Sequence, residues 1–205
     1  MYLFFKTLID FIFAFVVIVL GFPFFLLIAL LIKFSSRGPI FYDHLRVGKN
    51  FKKFKCKKFR TMHPEADDIL KNLLEKNIKI RKEFQDTQKI KNDPRITTIG
   101  KFLRKTILDE LPQFINVLKM EMSVIGPRPI VEDEIPRYTS SIQKVVSIKP
   151  GITGLWQVEG RSTLSYVDRK KLDLYYAKNI SLKLDLYIFF KTIFVLIFPK
   201  NKGAF

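Results

Sequence analysis

Cysteine is almost missing from this chain: Cys56 stands alone among 205 residues. A single thiol excludes an intrachain disulfide and fits a reducing compartment. Histidine is nearly as scarce, with His44 and His63 only, so no Cys/His zinc constellation can be assembled. Acidic residues are outnumbered, 19 Asp and Glu against 36 Lys and Arg, which leaves a net charge of +17. An excess of that size calls for an anionic partner: nucleic acid, a phospholipid surface or a phosphorylated substrate. Charge of either sign is missing over one long stretch, residues 8–32, "LIDFIFAFVVIVLGFPFFLLIALLI", where Asp10 is the sole exception.

About twenty apolar residues suffice to cross a bilayer core, and this run is long enough. A cleaved signal peptide fits badly, because the run is too long and no small-residue cleavage site follows it. A buried helix of a soluble core is the other bland reading. Gly21 and Pro23 lie near the middle, and proline favours a kink. A sharp kink would return the helix to the side it entered from, whereas a modest one leaves a span. The residues alone leave both open. Basic residues flank both ends, Lys6 before and Lys33 and Arg37 after, which draws the following domain to the cytoplasm.

Hydrophobic residues make up 48% and charged residues 27%, as in a polar domain joined to an apolar segment. The natural division is 1–34 for the membrane segment and 35–205 for a membrane-associated catalytic domain. Residues 33–62 carry two β-prone pieces, "PIFYDHLRVG" and "NFKKFKCKKFRTM", around the turn-forming "VGKN", which predicts a β-hairpin. Its second strand is polybasic. That reads as a solvated or lipid-facing edge, or as a phosphate-holding strand with Lys58 and Arg60 foremost. Residues 64–90 predict a charged helical stretch on the solvent side.

The most informative segment is "RKTILDELPQFINVLKMEMSVIGPRP", residues 104–129. Thr106 and Asp109 have the spacing of part of a capping box, while Pro112 suits a helix's first turn. A helix starting near Leu111 would leave Asp109 and Glu110 at its N-terminus. As isolated residues they are more simply read as caps. Arg104 before them, the proline-braced Arg128 after them, and Arg161 at the end of "KPGITGLWQVEGR" change the balance. Guanidinium groups around a carboxylate pair point to a phosphate site with a divalent cation, or to a carboxylate nucleophile. The apolar C-terminal run, residues 184–199, is short and broken by Asp185 and Lys191, so an amphipathic interfacial helix is expected there.

In order along the chain, "KFRTM", "NDPRITTIGKFLRKTILDELPQFINVLKMEMSVIGPRP", "KPGITGLWQVEGR" and "LDLYYAKNISLKLDL" resemble the bacterial sugar transferase family, the small monotopic phosphoglycosyl transferases. The resemblance runs from about residue 8 to the C-terminus. It implies an α+β, mostly helical fold with an N-terminal re-entrant helix-hairpin, a small β-hairpin and interfacial amphipathic helices. It implies residence at the cytoplasmic face of a bacterial inner membrane. It also implies transfer of a sugar-1-phosphate from a UDP-sugar to polyprenyl (undecaprenyl) phosphate, with Mg2+ and release of UMP, as the first membrane step of polysaccharide or glycoconjugate assembly.

By the same resemblance Asp109 matches the nucleophile and Glu110 the metal-binding acid. Lys58, Arg104, Arg128 and Arg161 match basic phosphate- and nucleotide-binding positions. Asp185 matches an acid important for activity. A low pKa for Asp109 is expected, to keep it ionised. The chain departs from the family at the bend, with Phe22-Pro23 after Gly21 where related proteins carry Ser-Pro. It also begins at the membrane segment, as a minimal form would. "LWQVEGR" and the closing "KGAF" lean toward a hexose such as galactose or glucose. Membrane lipids are expected partners, a homodimer is allowed, and nucleic acid is not expected. Two alternatives remain: a membrane-tethered basic lipid- or nucleic-acid-binding module, and a direct phosphotransferase. The latter normally needs many transmembrane helices.

Overall fold

The computed structural model describes residues 2–87, 90–138, 141–160 and 163–198, with backbone alone for 83 and 85–87. The fold is mostly helical with two small sheets. Helix α1 spans Tyr2–Ser35 and is apolar around its whole circumference. By length and composition it could cross a membrane. The helix runs on past Pro23, which lacks the amide donor, so the bend expected at Gly21 and Pro23 does not divide it into two helices.

Both ends of α1 rest on the rest of the protein. Near the start, Lys6, Asp10 and Ala14 are buried, and Phe13 packs against Phe114 and Phe189. Near the end, Ile28 and Ile32 are buried with Phe59 and Leu103, and Phe25 meets Phe59. Between them the helix is largely exposed, with Leu20 77% accessible.

The hairpin appears where its turn chemistry predicts it. Strands β1 (Phe41–Val47) and β2 (Lys53–Phe59) pair antiparallel, with Tyr42 opposite Lys58 and Arg46 opposite Phe54. Strand periodicity sorts the polybasic run. Phe54, Cys56 and Lys58 share one face of β2, and their partners put Arg46, His44 and Tyr42 on the same face. On the other face Lys57 pairs with Asp43, and Lys53 pairs with Glu132.

The charged stretch expected as one helical region divides into α2 (Ala66–Lys76) and α3 (Ile78–Thr87). Asn77 leaves helical geometry, and its side-chain oxygen accepts from the amides of Lys79 and Ile80. That cap starts the second helix. Helix α4 (Thr98–Thr106) opens on Thr97, whose hydroxyl accepts from the Gly100 amide. Gly100 lies so close to β2's exit that a Cβ there would sit 1.9 Å from the Thr61 carbonyl oxygen.

The remaining elements are α5 (Gln113–Leu118), β3 (Ser123–Ile125), α6 (Ile135–Tyr138), α7 (Ile142–Val145), β4 (Gly151–Thr153), α8 (Leu155–Glu159), α9 (Tyr166–Lys178) and α10 (Leu182–Ile197). Strands β3 and β4 pair in parallel, Ser123 opposite Gly151. The central core gathers Phe54, Cys56, Val117, Met122, Leu155, Tyr176 and Ile188. Helix α10 buries Asp185 and Ile188 and turns Leu182, Leu186, Phe190, Ile193 and Ile197 outward. Those five recur at three- and four-residue intervals and form one apolar stripe.

Candidate active site

The carboxylate pair sits in a short connection that its own sequence tightens. Ile107 adopts left-handed backbone, φ 62°, and ends α4. Leu108–Glu110 then form a single 3-10 turn, followed by Leu111 and Pro112 ahead of α5. Leu108 and Leu111 face the apolar cluster of Phe59 and Leu103. That anchoring holds the intervening acids in one place. The helix after Pro112 starts close to where it was expected but ends at Leu118, before "KMEM". Thr106 does not begin a capping box. It is the last residue of α4, and its hydroxyl donates to the Phe102 and Leu103 carbonyls.

Glu110 Oε1 accepts from Lys58 Nζ at 2.6 Å. Lys58 reaches it because β2 is docked on α5 by Asn116, itself 1% exposed. The Asn116 amide donates to the Lys55 carbonyl, and its oxygen accepts from the Lys57 amide. A cleft opens beside this pair, lined by Arg46, Cys56, Lys58, Glu110, Gln113, Arg128, Pro129, Ile152 and Gln157. Arg46 donates to the Pro129 carbonyl at 3.2 Å, which ties the hairpin to the proline-braced loop. The Arg128 guanidinium lies over Trp156, 5.8 Å from the ring centroid, and Arg169 lies 4.9 Å from the same ring. Arg104 donates to the Thr61 hydroxyl at 2.9 Å and interacts electrostatically with Asp109.

Burial and cations pull the two acids apart. Burial pushes Asp109 up to about 6; Lys58 pulls it down, Glu110 pushes it up, and Arg104 pulls it down. For Glu110 burial also acts upward, but Lys58 and Arg128 outweigh it and hold the carboxyl below its usual range. The low pKa expected of Asp109 therefore belongs to Glu110. Burial, with Arg46, Lys58 and Arg128, drops His44 to about 4 and keeps its imidazole neutral. Burial lifts the Cys56 thiol to about 11, so it is an inert core residue.

The structure thus gathers Asp109, Glu110, Lys58, Arg104 and Arg128. Arg60 goes elsewhere. Its guanidinium donates to the Ser36 and Arg37 carbonyls and to the Ser36 hydroxyl, clamping the end of α1. Gly38, with φ +119°, leaves the space for it. Asp185 also lies apart from the pair: it accepts from Tyr2 and Tyr176 and pairs with Lys6 at 2.9 Å. Arg161 lies outside the described residues. Sequence reasoning missed Arg46, Asn116, Gln113, Trp156 and Gln157. Hairpin register could have found Arg46, which shares a face with Lys58. Asn116 had no local signal, because its role is to join two distant elements.

A cleft holding an ion-paired carboxylate and two arginines, with a second, buried carboxylate next to it in the chain, suits phosphoryl chemistry. The chain belongs to the bacterial sugar transferase family, whose model matches residues 1–199. It is 47% identical over 188 residues to the exopolysaccharide production protein ExoY of Rhizobium meliloti (strain 1021), covering 92% of this chain and 83% of that one. It is 44% identical over 202 residues to the UDP-galactose-lipid carrier transferase of Erwinia amylovora, covering 98% of this chain and 42% of the relative. Over 168 residues it is 48% identical to the undecaprenyl-phosphate galactose phosphotransferase of Salmonella typhimurium (strain LT2), covering 82% of this chain and 35% of that one. The chain therefore spans most of the first relative and well under half of the other two. It is a transferase of this family.

Proposed function

We propose that the protein transfers a hexose-1-phosphate from a UDP-sugar to polyprenyl phosphate at the cytoplasmic face of a bacterial inner membrane. Asp109 is the nucleophile. One of its oxygens attacks the sugar-side β-phosphorus, the bond from that phosphorus to the bridging oxygen breaks, and UMP leaves with the electron pair. The lipid phosphate then attacks the same phosphorus and displaces the Asp109 carboxylate. The products are a polyprenyl diphosphate-sugar and free enzyme. A covalent intermediate divides a reaction between a soluble and a lipid substrate into two steps. The observation that carries this reading is the pair itself: Asp109 is 9% exposed and ringed by Lys58 and Arg104. A carboxylate partly freed from water and held beside cations is a competent nucleophile toward an anionic phosphorus. Galactose appears in the names of two relatives and supports the hexose lean.

The donor set fits magnesium. Glu110 Oε1 binds Lys58, while Oε2 has no hydrogen-bond partner among the described residues. No group of three or more His, Cys, Asp or Glu gathers among the described residues. Magnesium takes few protein ligands and completes its shell with water and substrate phosphates. Glu110 would hold it. Bound there, the ion supplies positive charge to the diphosphate. Lys58, Arg104 and Arg128 do the rest: they offset repulsion between Asp109 and the phosphates and orient the donor.

On this reading the membrane segment enters the bilayer and returns by bending at Gly21 and Pro23 within one continuous helix. Contacts of both ends of α1 with one body support placing both ends on one side of the membrane. The outward stripe of α10 would rest in the same interface. Purified protein given UDP-galactose or UDP-glucose with polyprenyl phosphate and magnesium should release UMP in step with lipid-linked sugar. Salt-sensitive nucleic-acid binding without UMP release would favour a tethered basic module instead.

A further inference from the structure

A second cleft lies between the start of α1 and β3. Its lining includes Leu3, Lys6, Asp10, Lys49, Ser123 and Lys149. It shares no lining residue with the cleft at Glu110. Three lysines from distant parts of the chain meet here. Lys6 is satisfied, at 2.9 Å from Asp185 and 3.4 Å from Asp10. Lys49, on the hairpin turn, and Lys149, before β4, have no carboxylate within ion-pair distance among the described residues. Lys149 is half-buried, and its one hydrogen bond goes to the Met120 sulfur at 3.7 Å, a weak acceptor. Burial lowers its pKa; Asp10 opposes this, and Lys49 and Lys6 add to it. Three lysines here meet two carboxylates, Asp10 and Asp185, so the cleft keeps a net positive charge that a bound anion would offset.

The mouth of the cleft identifies the anion. Leu3, 49% exposed, forms part of its wall, and Phe4 beside it is 74% exposed. On the membrane placement proposed above, on which this inference rests, that wall stands at headgroup depth. We infer that Lys49 and Lys149, with Lys6 behind them, bind the phosphate of an anionic phospholipid whose acyl chains lie along the start of α1. This lipid is not consumed. Glu110 of the acid pair lines the other cleft, with which this one shares no lining residue. The bound lipid fixes the depth at which the N-terminal end of α1 sits against the catalytic body.

The test uses Lys49→Gln/Lys149→Gln, which leaves the buried Lys6 ion pairs intact. Lys71→Gln/Lys79→Gln, two exposed lysines on α2 and α3, serves as the charge-matched control. Each protein is mixed with neutral phosphatidylcholine vesicles, with or without phosphatidylglycerol, and retained lipid is counted by native mass spectrometry. Wild type and control should retain phosphatidylglycerol. The cleft variant should bind it about 25-fold more weakly, from about five-fold per lysine near an anionic surface. Unchanged retention in the cleft variant, or an equal loss in the control, overturns the site. Displacement of the lipid by soluble glycerol phosphate would reassign the cleft to a soluble phosphate and overturn the lipid source. Failure of wild type to bind neutral vesicles would instead strike the membrane placement of α1, so the two failures are distinct.

Discussion

Replacing Lys58 with Gln should move the pH at which Asp109, the proposed nucleophile, becomes ionised. In the wild type, burial sets Asp109 at about 6, and Lys58 is the strongest influence holding it down. The sign follows directly: a cation favours the charged carboxylate, so its removal raises the pKa. An opposite charge within a few ångströms is worth about 1 to 3 pKa units. The acid limb of kcat/KM should therefore climb from about 6 to between about 7 and 9. At pH 7 the ionised share of Asp109 would fall from about nine-tenths to about one-tenth for a two-unit shift. Glu110 would lose its 2.6 Å partner as well, so some loss should persist at high pH. The assay is UMP release across pH 5 to 10. Substantial recovery of the variant toward pH 9 is expected. A limb that stays near 6, with a uniform loss at every pH, would refute the coupling and leave Lys58 a substrate contact only.

Three other outcomes follow from buried groups and from the two ends of α1. Asp185→Asn should lower thermal stability by about 2–4 kcal/mol, because it removes one of two carboxylates from the buried Lys6 and changes the acceptor for Tyr2 and Tyr176. Its folded fraction should keep near-normal turnover, and a fully folded but inactive variant would return Asp185 to the chemistry. Burial raises Asp173 to about 7, partly offset by the Tyr138 hydroxyl bond at 3.0 Å. A raised carboxyl stabilises the fold when protonated, so this contribution should be present below about pH 4 and vanish as pH passes about 7. Asp173→Asn should remove a slope of a few kcal/mol over that window in denaturant titrations. A cysteine added ahead of residue 1 should react with membrane-impermeant maleimide only in inside-out vesicles. The native Cys56 is 1% exposed and gives little background. Labelling from the periplasmic side would end the re-entrant reading.

What could be read from the sequence was whatever depends on local chemistry. The apolar run, the "VGKN" turn and the C-terminal helix follow from hydropathy and turn residues, and a helix, a hairpin and a helix appear there. The acid pair and its neighbouring cations were legible from order and spacing. What escaped depends on which elements dock. Lys58 and Arg60 look alike in a polybasic strand. Asn116 docks β2 so that Lys58 meets Glu110, while Arg60, just beyond the strand, is drawn to the carbonyls at the end of α1. Burial is equally invisible locally. Asp109 and Glu110 are adjacent, yet their surroundings send their pKa values in opposite directions. Asn77 divided the helical stretch because its side chain caps better than it propagates a helix.

The most direct test of the central claim is the intact mass of the protein after incubation with a UDP-hexose and magnesium in the absence of polyprenyl phosphate. A single hexose-phosphate adduct should appear, map to Asp109, and disappear when polyprenyl phosphate is added. Asp109→Asn should form none and turn over no substrate. Turnover by that variant at the wild-type rate, or an adduct on another residue, would contradict the account.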